Sequence, residues 1–134
     1  MRPCAALAAV ALSCLVGLAT AAPDAAARTM GTVPDRRLRL TVSGSEATWI
    51  RGVELLCPPT ADVHHPQAVA ACAAVDEAAG DLDGLLGDPH PCAEGFDPVT
   101  VTATGTWDGV RVEWRKTFPS ACTMDAVTGP LFRF

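Results

Sequence analysis

The sequence predicts an α+β domain: a five-stranded antiparallel sheet with two helices packed on one face and two disulfides. Three observations carry that expectation. Five stretches read as strands by alternation or apolar content, Asp108-Gly109 between two of them is a strong hairpin signal, and an Ala-rich segment of helical spacing separates the second stretch from the third.

The first residues stand apart from this domain. Met1-Arg2 supplies a positive start, Ala5 to Ala22 is a nearly unbroken apolar run, and Ala19-Thr20-Ala21 offers the small-x-small pattern read by signal peptidase. Residues 1–22 are therefore expected to be a cleaved secretory signal. A membrane anchor fits less well, because the run is Ala-rich, just short of a comfortable span and followed by Pro23-Asp24. A lipoprotein reading at Cys14 also fits less well, because apolar residues continue past it and the segment before it is short for a complete apolar core. Residues 23–36, Ala-rich and polar, read as a flexible amino-terminal arm, and residues 37–134 as a single domain.

Without the leader the chain holds fifteen acidic residues against nine basic ones, a net charge of −6. That balance argues against nucleic acid and against an anionic membrane surface as partners. Four cysteines remain: Cys57, Cys72, Cys92 and Cys122. An even count in an exported small domain reads as two disulfides, with three pairings open. Metal binding is disfavoured, since there is no C-x-x-C and His64, His65 and His90 lie at no ligand spacing; no cofactor is expected.

The first strand alternates Leu38, Leu40 and Val42 with Arg37, Arg39 and Thr41, which puts the apolar set on one face. Gly44-Ser45 turns the chain into a second strand, Thr48 to Cys57, with Val53, Leu55 and Cys57 inward. Pro58-Pro59 ends it. A polar loop through His64-His65, read as a solvated feature, leads to a helix with Pro66 near its first turn and Gly80 at its end. Val69, Cys72, Val75 and Ala79 recur at helical spacing and point Cys72 towards the sheet. A bridge from Cys57 to Cys72 would close about 16 residues and contribute about 3 kcal/mol by the chain-entropy argument.

Leu82, Leu85 and Leu86 form a second apolar cluster. Val99, Val101 and Ala103 alternate with threonines, and after Asp108-Gly109 the return strand alternates Val110, Val112 and Trp114 with Arg111, Glu113 and Arg115. Ser120 is placed to cap a short helix carrying Cys122 and Met124. Leu131-Phe132-Arg133-Phe134 reads as a terminal strand.

Enzymatic signatures are missing: there is no G-x-S-x-G, H-E-x-x-H, phosphate loop or dinucleotide fingerprint. The acidic pairs Asp76-Glu77 and Asp81 with Asp83 read as a solvated helix end. Trp49, Trp107 and Trp114 fit strand positions in a small core at least as well as a carbohydrate platform.

Pro91-Cys92-Ala93-Glu94-Gly95-Phe96-Asp97-Pro98-Val99 differs from its surroundings. Pro91 and Pro98 each fix φ and push the preceding residue towards extended geometry, and an oxidised Cys92 would tie the segment to the domain. A braced, extended segment is what the active-site cleft of a protease binds.

Several spaced landmarks resemble the Streptomyces subtilisin inhibitor family. They are Arg51-Gly52-Val53-Glu54-Leu55-Leu56-Cys57, His65-Pro66 before a cysteine helix, Gly80-Asp81-Leu82, and C-x-x-x-[FY]-D-P-V at Cys92 to Val99. Trp107-x-Gly109, Arg111-Val112, Cys122-x-Met124 and Phe132-Arg133-Phe134 extend the likeness to nearly the whole domain. The resemblance implies a secreted, usually dimeric inhibitor of serine endopeptidases with a five-stranded sheet and two helices. It implies disulfides Cys57–Cys72 and Cys92–Cys122. It also implies a reactive bond Glu94–Gly95, with Cys92 and Ala93 on its amino side and Phe96 and Asp97 on its carboxyl side, all in contact with the protease.

Three positions depart from that pattern. Ala93 stands where proline is common, Gly95 where a bulkier residue is usual, and Glu94 where Met or Lys is more usual. The first two loosen the backbone. The third brings a carboxylate to the primary specificity position, so the expected target is a glutamate-selective serine protease or a subtilisin-like enzyme with a basic pocket rim. The alternative is a secreted binding or scaffold protein that keeps the inhibitor fold without strong inhibition.

Overall fold

The computed structural model describes residues 35–134 except residue 63. The expected secretory leader and the expected arm through residue 34 lie outside the described residues. Asp35 and Arg36, assigned to the arm from sequence, are tied to the domain. Thr106 donates to Asp35 at 2.8 Å, and the Arg36 carbonyl accepts from the Cys57 N–H at 3.0 Å.

Four strands form one antiparallel sheet: β1 (Arg37–Ser43), β2 (Ile50–Leu56), β3 (Val99–Trp107) and β4 (Val110–Phe118), in the order β2-β1-β3-β4. Register follows the alternation. Leu40 lies between Val53 and Ala103, Val42 beside Val101, and Val99 opposite Phe118, so that one face is apolar. The other face carries Arg39, Thr41, Thr102 and Thr104, with hydroxyl pairs Thr41–Thr102 and Thr100–Thr117 across the strands.

The β3–β4 hairpin closes at Asp108-Gly109, where φ values of 51° and 80° give the two left-handed residues of a type I′ turn. Arg36 fixes this turn from outside, with Nε 2.6 Å and Nη2 3.0 Å from the two Asp108 oxygens. Its guanidinium also meets Asp76 at 3.0 Å and lies 5.0 Å from the centre of the Trp107 ring. The Arg36 hydrogen bonds hold the Asp108 carboxyl below the usual carboxylate range.

Two helices cover the apolar face, α1 (Ala68–Glu77) and α2 (Ala121–Thr128). The buried stripe of α1 is Ala71 and Val75, with Cys72 beside it bridged to Cys57. Val69, expected inward, is 74 % exposed, because it lies two residues, about 200°, round the helix from Ala71. Ser120 caps α2, its Oγ accepting from the Thr123 N–H at 3.1 Å. Trp107 is buried in the core, Trp114 stacks on Phe132 and donates to Asp83 at 3.1 Å, and Trp49 lies exposed under Arg51. Among the described residues, no helix is long and apolar enough to cross a membrane.

The expected fifth strand is absent from the described residues. Gly129–Phe132 is a 3-10 turn instead, and Leu131 and Phe132 are both buried. A strand would send consecutive side chains to opposite faces, and Pro130 has no N–H to give a ladder. Here two adjacent apolar residues enter the core together, which a helical turn permits.

His65 seals this end. It was expected in solvent, yet it is 4 % exposed, while its neighbour His64 is the solvated one. Its Nδ1 accepts from the Gln67 N–H at 3.0 Å and its Nε2 donates to the Leu131 carbonyl at 2.9 Å, with the Phe134 ring edge-on at 5.6 Å. The ring thus joins the entry of α1 to the terminal turn. His65→Ala leaves a donor and an acceptor without partners and is expected to cost about 2–4 kcal/mol of stability. Urea denaturation should show a lowered midpoint with an unchanged slope, and an unmoved midpoint would refute the role.

Candidate functional site

Residues 85–98 have no regular secondary structure and run from the Leu82 turn to the start of β3. Their path is set by α2. Gly87 takes φ 67° and passes so close to the helix end that a Cβ there would sit 2.4 Å from the Ala126 carbonyl oxygen, so only glycine fits. The next N–H, of Asp88, donates to that carbonyl at 2.9 Å.

A charged cluster extends the seat. Arg133 reaches Asp88 at 2.8 Å and forks onto Asp125 of α2 at 2.5 and 2.9 Å. His90 Nε2 lies 2.8 Å from the second Asp125 oxygen. Hydrogen bonds from Arg133, then from His90, hold the Asp125 carboxyl below its usual range, and the Asp125 bond raises His90 above the ordinary histidine value. Two residues on, Cys92 is bridged to Cys122 of α2, with an S–S distance of 2.03 Å and a Cα–Cα distance of 5.8 Å. On the far side the Asp97 N–H donates to the Pro119 carbonyl at 3.0 Å, and Val99 enters the core.

Between these two anchors the chain stands free. Ala93, Glu94, Gly95, Phe96 and Asp97 are all exposed, Phe96 at 81 %, while Cys92 and Pro98 are half-buried. A Cβ added to Gly95 would meet nothing within 4 Å. The residues singled out from sequence therefore form one displayed segment, fastened covalently on its amino side and through the sheet on its carboxyl side. His90 and the sulfurs of Cys92 and Cys122 lie within 4.8 Å of one another, but the sulfurs are bonded to each other and neither is a thiolate ligand.

Sequence reasoning passed over Gly87, Asp88, His90, Asp125 and Arg133. One signal was available: Arg133 interrupts the apolar run Leu131 to Phe134 and so asks for a partner.

The fold and the segment define a small disulfide-braced domain that displays an exposed loop. The chain belongs to the subtilisin inhibitor-like family, whose family model matches residues 35–120. It is 41 % identical over 102 residues to subtilisin inhibitor-like protein 5 of Streptomyces fradiae, covering 72 % of this chain and 95 % of that one. Against subtilisin inhibitor-like protein 4 of Streptomyces lavendulae it is 41 % identical over 116 residues, covering 84 % of this chain and 100 % of the relative. Among solved structures it is similar to Streptomyces caespitosus sermetstatin in complex with Bacillus licheniformis subtilisin. The TM-score is 0.59 and the identity 37 %, over 75 % of this chain and 98 % of that one.

Proposed function

We propose that this protein is a secreted inhibitor of subtilisin-like serine endopeptidases that offers Glu94–Gly95 as its reactive bond. The observation that carries the reading is the exposed run from Ala93 to Asp97 held between the Cys92–Cys122 bridge and the Asp97–Pro119 hydrogen bond. An extended segment held at both ends loses little conformational entropy on entering a cleft, so more of the contact energy becomes affinity. When the protease serine attacks the Glu94 carbonyl carbon, the Gly95 amine that leaves stays tethered by the sheet, and the acylated limb stays tethered by the disulfide. Religation then competes with water. No residue of the inhibitor performs chemistry.

The target follows from Glu94: a glutamate-selective serine protease, or a subtilisin-like enzyme with a basic group at its pocket rim. We also infer a homodimer, in which a second copy covers the threonine-rich outer sheet face left open by both helices; a monomeric mass by sedimentation at every concentration tested would refute that.

One observation favours a second reading, a binding protein of the same fold without strong inhibition. Gly95 has no neighbour within 4 Å, and neither it nor Ala93 stiffens the displayed run. A single titration separates the two. The oxidised protein is titrated against one broad subtilisin and one glutamate-selective serine protease, with mass analysis of the products. Tight inhibition with little net cleavage at Glu94–Gly95 supports the inhibitor; rapid cutting, or no binding to either enzyme, supports the second reading.

A further inference from the structure

The cluster beside the loop holds an instruction that the inhibitor reading does not use. His90 is ringed by acceptors only: Asp125 Oδ2 at 2.8 Å from Nε2, and the Pro91 carbonyl oxygen and Cys122 Sγ at 3.3 and 3.8 Å from Nδ1. A ring with one N–H satisfies one side and turns a lone pair on the other. Only the imidazolium, with an N–H on each nitrogen, meets both oxygens. The charges agree. Asp125 faces the ring from α2 and Asp88 from the loop itself, and Arg133 of the terminal segment supplies one positive charge against those two negatives. A second positive charge on His90 balances the group.

We propose that His90, as its imidazolium, and Arg133 are positioning residues for the displayed bond. They clamp residues 88–92 to α2, and the clamp loosens when the ring loses its proton. The consequence for inhibition rests on the reading of Glu94–Gly95 as the bond offered to a protease. Asp125 raises His90 above the ordinary value. The sign is therefore set: the clamp is complete below about pH 6.5 and is lost as pH climbs through the raised value. The loop is held best in mild acid and least in alkali.

The test follows the oxidised protein from about pH 5 to about pH 9 by NMR, reading the His90 ring and the 13Cα shifts and order parameters of Ala93 to Phe96. In the parent, the loop shifts should titrate with the same midpoint as the ring, and the order parameters should fall by about 0.1–0.2 from a rigid value near 0.85. His90→Asn should be low at every pH, and His90→Lys, which keeps a positive donor, should be high at every pH. Superimposable parent and His90→Asn loops would overturn the clamp. Permanent cleavage of Glu94–Gly95 by a broad subtilisin, taken relative to His90→Lys at each pH, should rise about three- to tenfold from the acid to the alkaline end. A loop that titrates as expected in a protein that inhibits neither protease would keep the clamp and remove the inhibitor reading. Tight inhibition by a loop indifferent to pH and to His90 would remove the clamp alone.

Discussion

Replacing Cys92 and Cys122 together by serine should turn the protein from an inhibitor into a substrate. The bridge spans a sequence separation of 30, for which the chain-entropy argument gives about 3–4 kcal/mol of stability. That is a large part of the about 5–15 kcal/mol that holds a domain of this size together. With Glu94–Gly95 as the proposed reactive bond, the bridge would also keep the amino-side limb in place after acylation. Without it the ordering of residues 93–97 is charged to each binding event, about 1–3 kcal/mol, and net cleavage should rise about ten- to a hundredfold.

The control is the other bridge. Cys57–Cys72 has a sequence separation of 15 and joins the end of β2 to α1, whereas the displayed segment is bridged to α2. Its double serine variant should lose about 3 kcal/mol of stability while cleavage per folded molecule stays at the parent level. Urea denaturation gives the folded fraction of each variant, and mass analysis gives the cut. Equal cleavage in both double variants would mean that stability alone, and not the anchor on α2, protects the bond.

Much of this fold is written in local pattern. Alternation at Leu38, Leu40 and Val42 and at Val99, Val101 and Ala103 names the buried face, and Asp108-Gly109 names its hairpin, because each signal lies within a few residues of its own effect. Ser120 names the start of α2 in the same way. The terminal segment is misread for an equally local reason. Leu-Phe-Arg-Phe is apolar enough for a strand, and only the core beneath it, which takes Leu131 and Phe132 side by side, decides for a turn.

The displayed segment was legible through its prolines and cysteine, but its seat was not. His65 meets Leu131 across 66 residues and His90 meets Asp125 across 35. No periodicity joins such pairs; topology does, by folding α2 and the chain terminus against the loop. Histidine is the type most exposed to this error. The same side chain serves as a solvated loop residue at His64, a buried tie at His65 and a charged clamp at His90, and composition is silent on which.

Glu94→Met should tighten inhibition of a broad subtilisin by about 2–4 kcal/mol, roughly thirty- to a thousandfold, because it removes the cost of drying a carboxylate in an apolar pocket. Glu94→Gln should recover only part of this gain, since the amide keeps its polar atoms while losing the charge. The substitutions report on binding and not on folding. Glu94 is exposed, and its neighbour Gly95 has open space around it, so changes here should alter stability by no more than about 0.5 kcal/mol. A glutamate-selective protease should reverse the order, with Glu94→Gln about ten- to a hundredfold weaker than the parent, as a charged partner across the interface is left unmet. Inhibition constants for the three proteins against both enzymes decide the matter. If Met brings no gain with the broad enzyme, Glu94 does not enter its pocket. If Gln matches Glu with the selective one, the carboxylate is not what that enzyme recognises.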